Sequence, residues 1–201
     1  MLAARVDHAK LAFFSDLAVA QLGHGTPEDS RQPKKSVTLA QGIADGKAVA
    51  RIGTWIEMND LNTPTQLTLA ALNLEFFTDI VLTYATSHAL RLKRQLRGDD
   101  IRTSLYDYIH QGNFTCDEFA MIVEFLALDG GLVKTAVHET MFRACKGGVF
   151  VPKEMGRIEE YAKQVGMWEE MASVGVEIRA KMEERNRQDA EMAKWAGVRR
   201  R

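Results

Sequence analysis

Five histidines, two cysteines and a few adjacent carboxylates are the residues of this chain whose types could do chemistry. The histidines are His8, His24, His88, His110 and His138, and no two stand at the i, i+4 spacing that puts a pair of metal ligands on one helical face. His138 and Glu139 precede Cys145 by about two helical turns, roughly 10 Å, too far for a nucleophile to touch its base. Cys116 and Cys145 have no second pair nearby, which fits reduced, buried thiols rather than a disulfide framework or a four-ligand zinc site. Gly130-Gly131 and Gly147-Gly148 lack the Gly-Lys-Ser/Thr ending of a phosphate loop, and no strand precedes them, so they read as turn glycines. Asp99-Asp100 and Glu159-Glu160 are adjacent pairs that point to different sides of a helix or lie in a loop, not acid/base couples. The expectation is therefore a non-enzyme with no catalytic residues, no metal, no cofactor and no small-molecule substrate.

Composition narrows the alternatives. With 46% hydrophobic and 26% charged residues among 201, the chain matches soluble globular proteins, and neither disorder nor a fibre is indicated. No apolar run approaches the roughly 18 residues needed to span a bilayer, so membrane insertion is not expected. Lys plus Arg (26) nearly cancel Asp plus Glu (27), leaving a net charge of −1. That balance argues against affinity built mainly on neutralising phosphates.

The elements that must position these residues are helical, because apolar residues recur at spacings of three and four, and sustained alternation is absent. A first helix is expected over 2–22, where Val6, Leu11, Phe14, Leu17 and Leu22 share a face; 1–25 is then an N-terminal helix and 26–35 a polar loop with Pro27 and Pro33. Ser36 caps a short helix to Ala44, and a second runs over 48–58. Thr63 or Thr65 caps a long helix to about Leu92, 97–100 breaks it, and 101–110 is its partner. Helices over 117–128, 133–144 and 154–164 follow, and one from Trp168 runs past Met182 to about Trp195. The polar extension 183–201 is rich in helix formers. This gives an all-α chain of about nine or ten helices.

The later segments repeat. The stretch 114–149 overlays 150–182 at an offset of 35 or 36: Gly112-Asn113-Phe114 returns as Gly148-Val149-Phe150, Phe119 as Met155, and Gly131 as Gly166. A period of that length marks a structural unit that buries its apolar face against its neighbours. Phe119, Ile122, Phe125, Met141 and Phe142 supply that face.

With Phe119, Ile122, Val123, Gly130, Ala136 and Met141 in one unit, and Pro152, Met155, Ile158, Gly166, Met171 and Met182 in the next, the chain resembles the pentatricopeptide-repeat family. Val37, Thr38, Leu39, Gly46, Ala50, Trp55 and Met58, then Pro64, Leu67, Thr68 and Leu69, are similar to the same plan. The resemblance covers 32–182, with an insertion near 89–99 and a short first hairpin. It implies an α-solenoid of antiparallel helical hairpins, of the pentatricopeptide or tetratricopeptide type, over 36–182. In that family single-stranded RNA lies along the concave face and is read by a polar side chain after the aromatic position of each first helix. Here those positions are Ala40, Ala70, Ala120 and Gly156, none of which can hydrogen-bond a base edge through a side chain.

Two basic clusters remain as candidate phosphate or partner contacts. Arg91, Lys93, Arg94 and Arg97 stand at the expected end of a helix, with Arg102 behind, where they would also satisfy its dipole. Arg199, Arg200 and Arg201 close the chain near Trp195. Trp55 and Trp168 read as core, and Trp195 as a candidate partner contact. The leading expectation is a non-catalytic structural subunit, bound to other proteins in a large organellar assembly such as a mitochondrial ribosome or RNA-processing particle. The mitochondrial location follows from the resemblance alone, a cytoplasmic one being the other reading, since 2–22 with Asp7 and Asp16 makes a poor transit peptide. A single-stranded RNA binder working through phosphates and stacking is the alternative, and a self-assembling coat-type helical protein a third.

Overall fold

In the computed structural model, residues 5–23, 36–39, 44–111, 114–147 and 152–198 are described, the last stretch with side chains over 153–193. Every regular element among them is helical: α1 (His8–Phe14), α2 (Asp16–Leu22), α3 (Gly46–Met58), α4 (Leu69–Leu72), α5 (Phe77–Ala89), α6 (Asp99–Gln111), α7 (Cys116–Phe125), α8 (Gly130–Lys146), α9 (Pro152–Gln164) and α10 (Trp168–Val198). One 3₁₀ turn, Arg94–Leu96, lies between α5 and α6. The chain is all-α, as its periodicity requires.

The helix starts are written in short polar side chains, which accept from backbone N–H groups that have no partner inside the helix. Asp45 accepts from Lys47 and Ala48 at the head of α3, and Thr115 with Glu118 forms a reciprocal capping box on α7. Asp129 accepts from Gly131 and Leu132 at the head of α8. Asp129-Gly130-Gly131 is thus a cap followed by the first helical residues, not a glycine turn. Positive φ is needed instead at Gly147 (71°) and Gly166 (75°), which end α8 and follow α9.

Three expected helices are differently cut. The expected helix over 2–22 is interrupted at Ser15, which is extended and bridges to Leu92. The Ser15 hydroxyl donates to the Leu90 carbonyl and accepts from Ala18 N at 3.0 Å, so a tertiary partner takes bonds that a continuous helix would use. The short helix expected from Ser36 is absent over 36–39, where Gln21 holds Thr38 through both backbone groups; Ala40 to Ile43 lie outside the described residues. The long helix expected up to Leu92 is two helices, α4 and α5. Leu67 is held extended by Leu96 O and Gly98 N at 2.7 and 2.8 Å, Thr68 caps α4, and Asn73 ends it in the left-handed region at φ 50°.

Packing follows a simple order. Helices α3, α5, α7 and α9 touch in succession, α6, α8 and α10 touch in succession, and each of α5/α6, α7/α8 and α9/α10 is in contact. One continuous apolar cluster runs through them, with Phe14, Ile52, Ile56, Leu105, Phe119, Ile122, Leu132, Ile158 and Met171 fully buried. Phe125 and Phe142 pack against it half-buried. The α8–α10 crossing is close: a Cβ at Gly175 would stand 2.5 Å from Met141 Cε. Beyond Met182 the 31-residue α10 runs on with residues 183–193 all exposed.

Candidate binding surfaces

Within the stretch read as an insertion near 89–99, residues 90–98 form a clamped connector between α5 and α6. On one side Asp16 N donates to Arg91 O at 3.1 Å and Lys93 N to Phe14 O at 3.0 Å. On the other, Leu67 N donates to Leu96 O and Gly98 N to Leu67 O, and Gln66 Nε2 reaches Gln95 O at 3.1 Å. Leu90, Leu92 and Leu96 turn inward and are buried. Of the basic side chains here, Arg91 and Arg94 are exposed, and Lys93 and Arg97 are half-buried.

The five cations of this cluster have separate fates. Arg91 directly follows Leu90, the C-cap of α5, Lys93, Arg94 and Arg97 lie further along the connector, and Arg102 is in α6. Arg91, in the left-handed region at φ 49°, and Arg94 are exposed and make no ion pair among the described residues. Lys93 Nζ lies 5.1 Å from the centroid of the Phe13 ring, a cation–π contact. Arg97 folds back on His88, its Nη1 2.9 and 3.0 Å from the ring nitrogens. Arg102 pairs with Asp129, Nε to Oδ2 at 2.8 Å.

These last two belong to a polar joint that sequence reading missed. Tyr84 of α5 donates its hydroxyl to Asp129 Oδ2 at 2.8 Å, so one carboxylate caps α8 and ties α5 and α6 to it. Burial and then this hydrogen bond push Tyr84 up to about 12. Burial would raise Asp129 too, but the bonds from Arg102 and Tyr84 outweigh it and hold the carboxyl below its ordinary range. Burial, and then the Arg97 charge, hold His88 below the usual histidine value. The legible signal was Asp followed by two glycines: a Cβ at Gly131 would sit 3.1 Å from Asp129 Oδ1 and 3.3 Å from Arg102 Nη2.

Elsewhere polar groups join neighbouring helices. Arg51 pairs with Asp79 across α3 and α5, and Arg157 with Asp117 across α9 and α7. Tyr108 donates to Glu118 at 2.7 Å, and Cys116 N to Glu154 at 2.8 Å. Buried Glu139 meets His110 Nδ1 at 3.0 Å and His138 Nδ1 at 3.8 Å, between α6 and α8. Cys145 instead faces Gly175 and Arg179 of α10. No group of three or more ligating side chains among the described residues is arranged to hold a metal ion.

Of the base-reading positions, Ala70 and Gly156 are exposed, and Ala120 is half-buried with its carbonyl 3.5 Å from the Tyr161 hydroxyl. Ala40 lies outside the described residues, as do Arg199, Arg200 and Arg201; Trp195 falls on α10, its side chain likewise not described. Trp55 is core, 5.0 Å from the Phe14 ring and edge-on to it, and Trp168 packs partly buried. An open groove of about 690 Å³ lies between α3 and α4, lined by Trp55, Met58, Asn59, Asp60, Thr65 and Leu72.

These observations define an all-helical protein whose polar groups cross-link helices that lie apart in the sequence. Set against family models, curated proteins and solved structures, the chain matches none. Among the described residues no helix is long and apolar enough to cross a membrane.

Proposed function

We propose that this chain is a small helical-hairpin repeat protein, similar in plan to pentatricopeptide repeats, that serves as a non-catalytic binding subunit of a larger protein assembly. One observation carries the reading: α3, α5, α7 and α9 touch in succession, and α6, α8 and α10 do the same. That is the contact order of stacked hairpins, in which each unit leans on its neighbours and the product is an extended surface rather than a cleft. The links Arg51–Asp79, Tyr84–Asp129, Tyr108–Glu118 and Arg157–Asp117 fit it, since each seams neighbouring helices. An organellar setting follows from the family resemblance alone.

The RNA-binding alternative has weaker support. Of the five internal cations named for phosphate contact, Arg97 and Arg102 are engaged within the fold, and the base-reading positions carry Ala and Gly side chains. The test is purification of the tagged chain from its source cells with and without nuclease. The subunit reading expects a defined, near-stoichiometric protein set that survives nuclease. Loss of that set on RNA digestion, or recovery of RNA alone, would overturn it.

A further inference from the structure

We infer that the connector 90–98 docks a short acidic segment of a partner protein, held by Arg91, Lys93 and Arg94 beside Phe13; this rests on the binding-subunit reading above. The backbone is what makes the cations a site. Leu92 points inward at 2% exposure, Arg91 before it is exposed, Lys93 after it is half-buried with its Nζ over the Phe13 ring, and exposed Arg94 opens the 3₁₀ turn that follows. Backbone bonds to Phe14, Asp16 and Leu67 pin the connector from both flanks, so the backbone that carries the charges is ordered before binding and only the side chains lose freedom. Arg91 and Arg94 have no carboxylate partner among the described residues, although Arg51, Arg102 and Arg157 each have one. Phe13, 36% exposed, adds an apolar edge to the patch.

Charge complementarity selects an acidic ligand, and the surroundings select a peptide over a nucleic acid. Stacking a base needs a free ring face. The Phe13 ring has Lys93 Nζ over it and Phe14 tilted 70° against it at 5.2 Å. A phosphate chain also needs a track of cations, whereas exposed Asp16 adjoins this patch and the net charge of the chain is −1. Two or three carboxylates on a short segment match three cations; a long polyanion would run onto Asp16.

The test uses the full chain and fluorescence anisotropy with three probes: a short Glu-rich peptide bearing one Phe, the same peptide with Gln for Glu, and oligouridine. The Glu peptide should bind at least ~10-fold tighter than the Gln peptide and weaken as salt rises. The variant Arg91→Ala/Lys93→Ala/Arg94→Ala should lose about tenfold for the Glu peptide. A charge-matched variant, Lys181→Ala/Arg185→Ala/Arg187→Ala on the exposed flank of α10, should lose nothing, and both should keep the parental helical signal and melting temperature. Equal binding of Glu and Gln peptides, an unchanged triple variant, or oligouridine binding tighter than peptide and lost in that variant would each overturn the inference. If the peptide fails while the nuclease-resistant protein set persists, this inference alone falls; if that set is lost, the subunit reading falls with it.

Discussion

Tyr84 donates its hydroxyl to Asp129 Oδ2 at 2.8 Å, across 45 residues of sequence. The same oxygen receives Arg102 Nε, and the other carboxylate oxygen caps α8. One side chain therefore holds three helices, and its loss should be felt in all of them.

Asp129→Ala should cost about 2–3 kcal/mol in urea unfolding at neutral pH, the sum of a lost cap and lost bonds to Tyr84 and Arg102. Because the folded carboxyl titrates below its unfolded value, its contribution is complete above about pH 4 and is lost as pH falls through the depressed value. The difference between parent and variant should accordingly shrink in acid; a constant difference down to the lowest pH at which the parent folds would contradict the joint.

His88 works in the opposite chemical sense. Its folded value is depressed, so the unfolded imidazole takes up a proton first, and stability declines as pH drops from about 6.5 through the folded value. His88→Gln should flatten that part of the stability profile relative to the parent, read as urea midpoints against pH. A parallel profile would show that burial against Arg97 does not control the residue.

Ser15→Ala removes both the α2 cap and the bond to Leu90 O, at about 2 kcal/mol. The effect should be local before it is global: amide exchange in α1 and α2 should rise well ahead of exchange in α8. Uniform acceleration would mean that these helices are not a separable unit.

Two glycines should respond with opposite sign. Gly166→Ala forces an L side chain into φ +75° and should destabilise by about 1–2 kcal/mol. Gly130→Ala, at the first position of α8 with nothing within 4 Å of the added Cβ, should stabilise by about 0.5 kcal/mol. Thermal or urea melts of the pair decide it.

Ending the chain after Met182 should leave stability within about 0.5 kcal/mol, since 183–193 are exposed throughout. Ending it after Gln164 removes buried Met171 and Ile178 and should unfold α8 and α9 as well. Circular dichroism of the two truncations separates these outcomes.

The later helices were legible because each is announced locally. Apolar residues recur with helical period through α7 to α10, and the structure adds the Thr115–Glu118 capping box and the Asp129 cap at the heads of α7 and α8. The N-terminal half misled for the opposite reason. The run from Val6 to Leu22 has a continuous helical period, yet Ser15 breaks it because Leu90, 75 residues away, offers its carbonyl. The stretch up to Leu92 reads as one helix, yet Leu67 is pulled straight by Leu96 and Gly98. Nothing within either segment encodes those partners.

The candidate surface divides in the same way. That basic residues gather at 91–102, that no pair of histidines has i, i+4 spacing, and that the chain is helical were determined by the sequence alone, because residue type, spacing and period are local quantities. Which of the cations find a polar partner inside the fold was decided only by the tertiary structure. Arg97 and Arg102 were claimed by His88 and Asp129, and Arg91, Lys93 and Arg94 were left on a frame pinned by Phe14, Asp16 and Leu67, because a charge's partner is set by what the fold brings within hydrogen-bond reach.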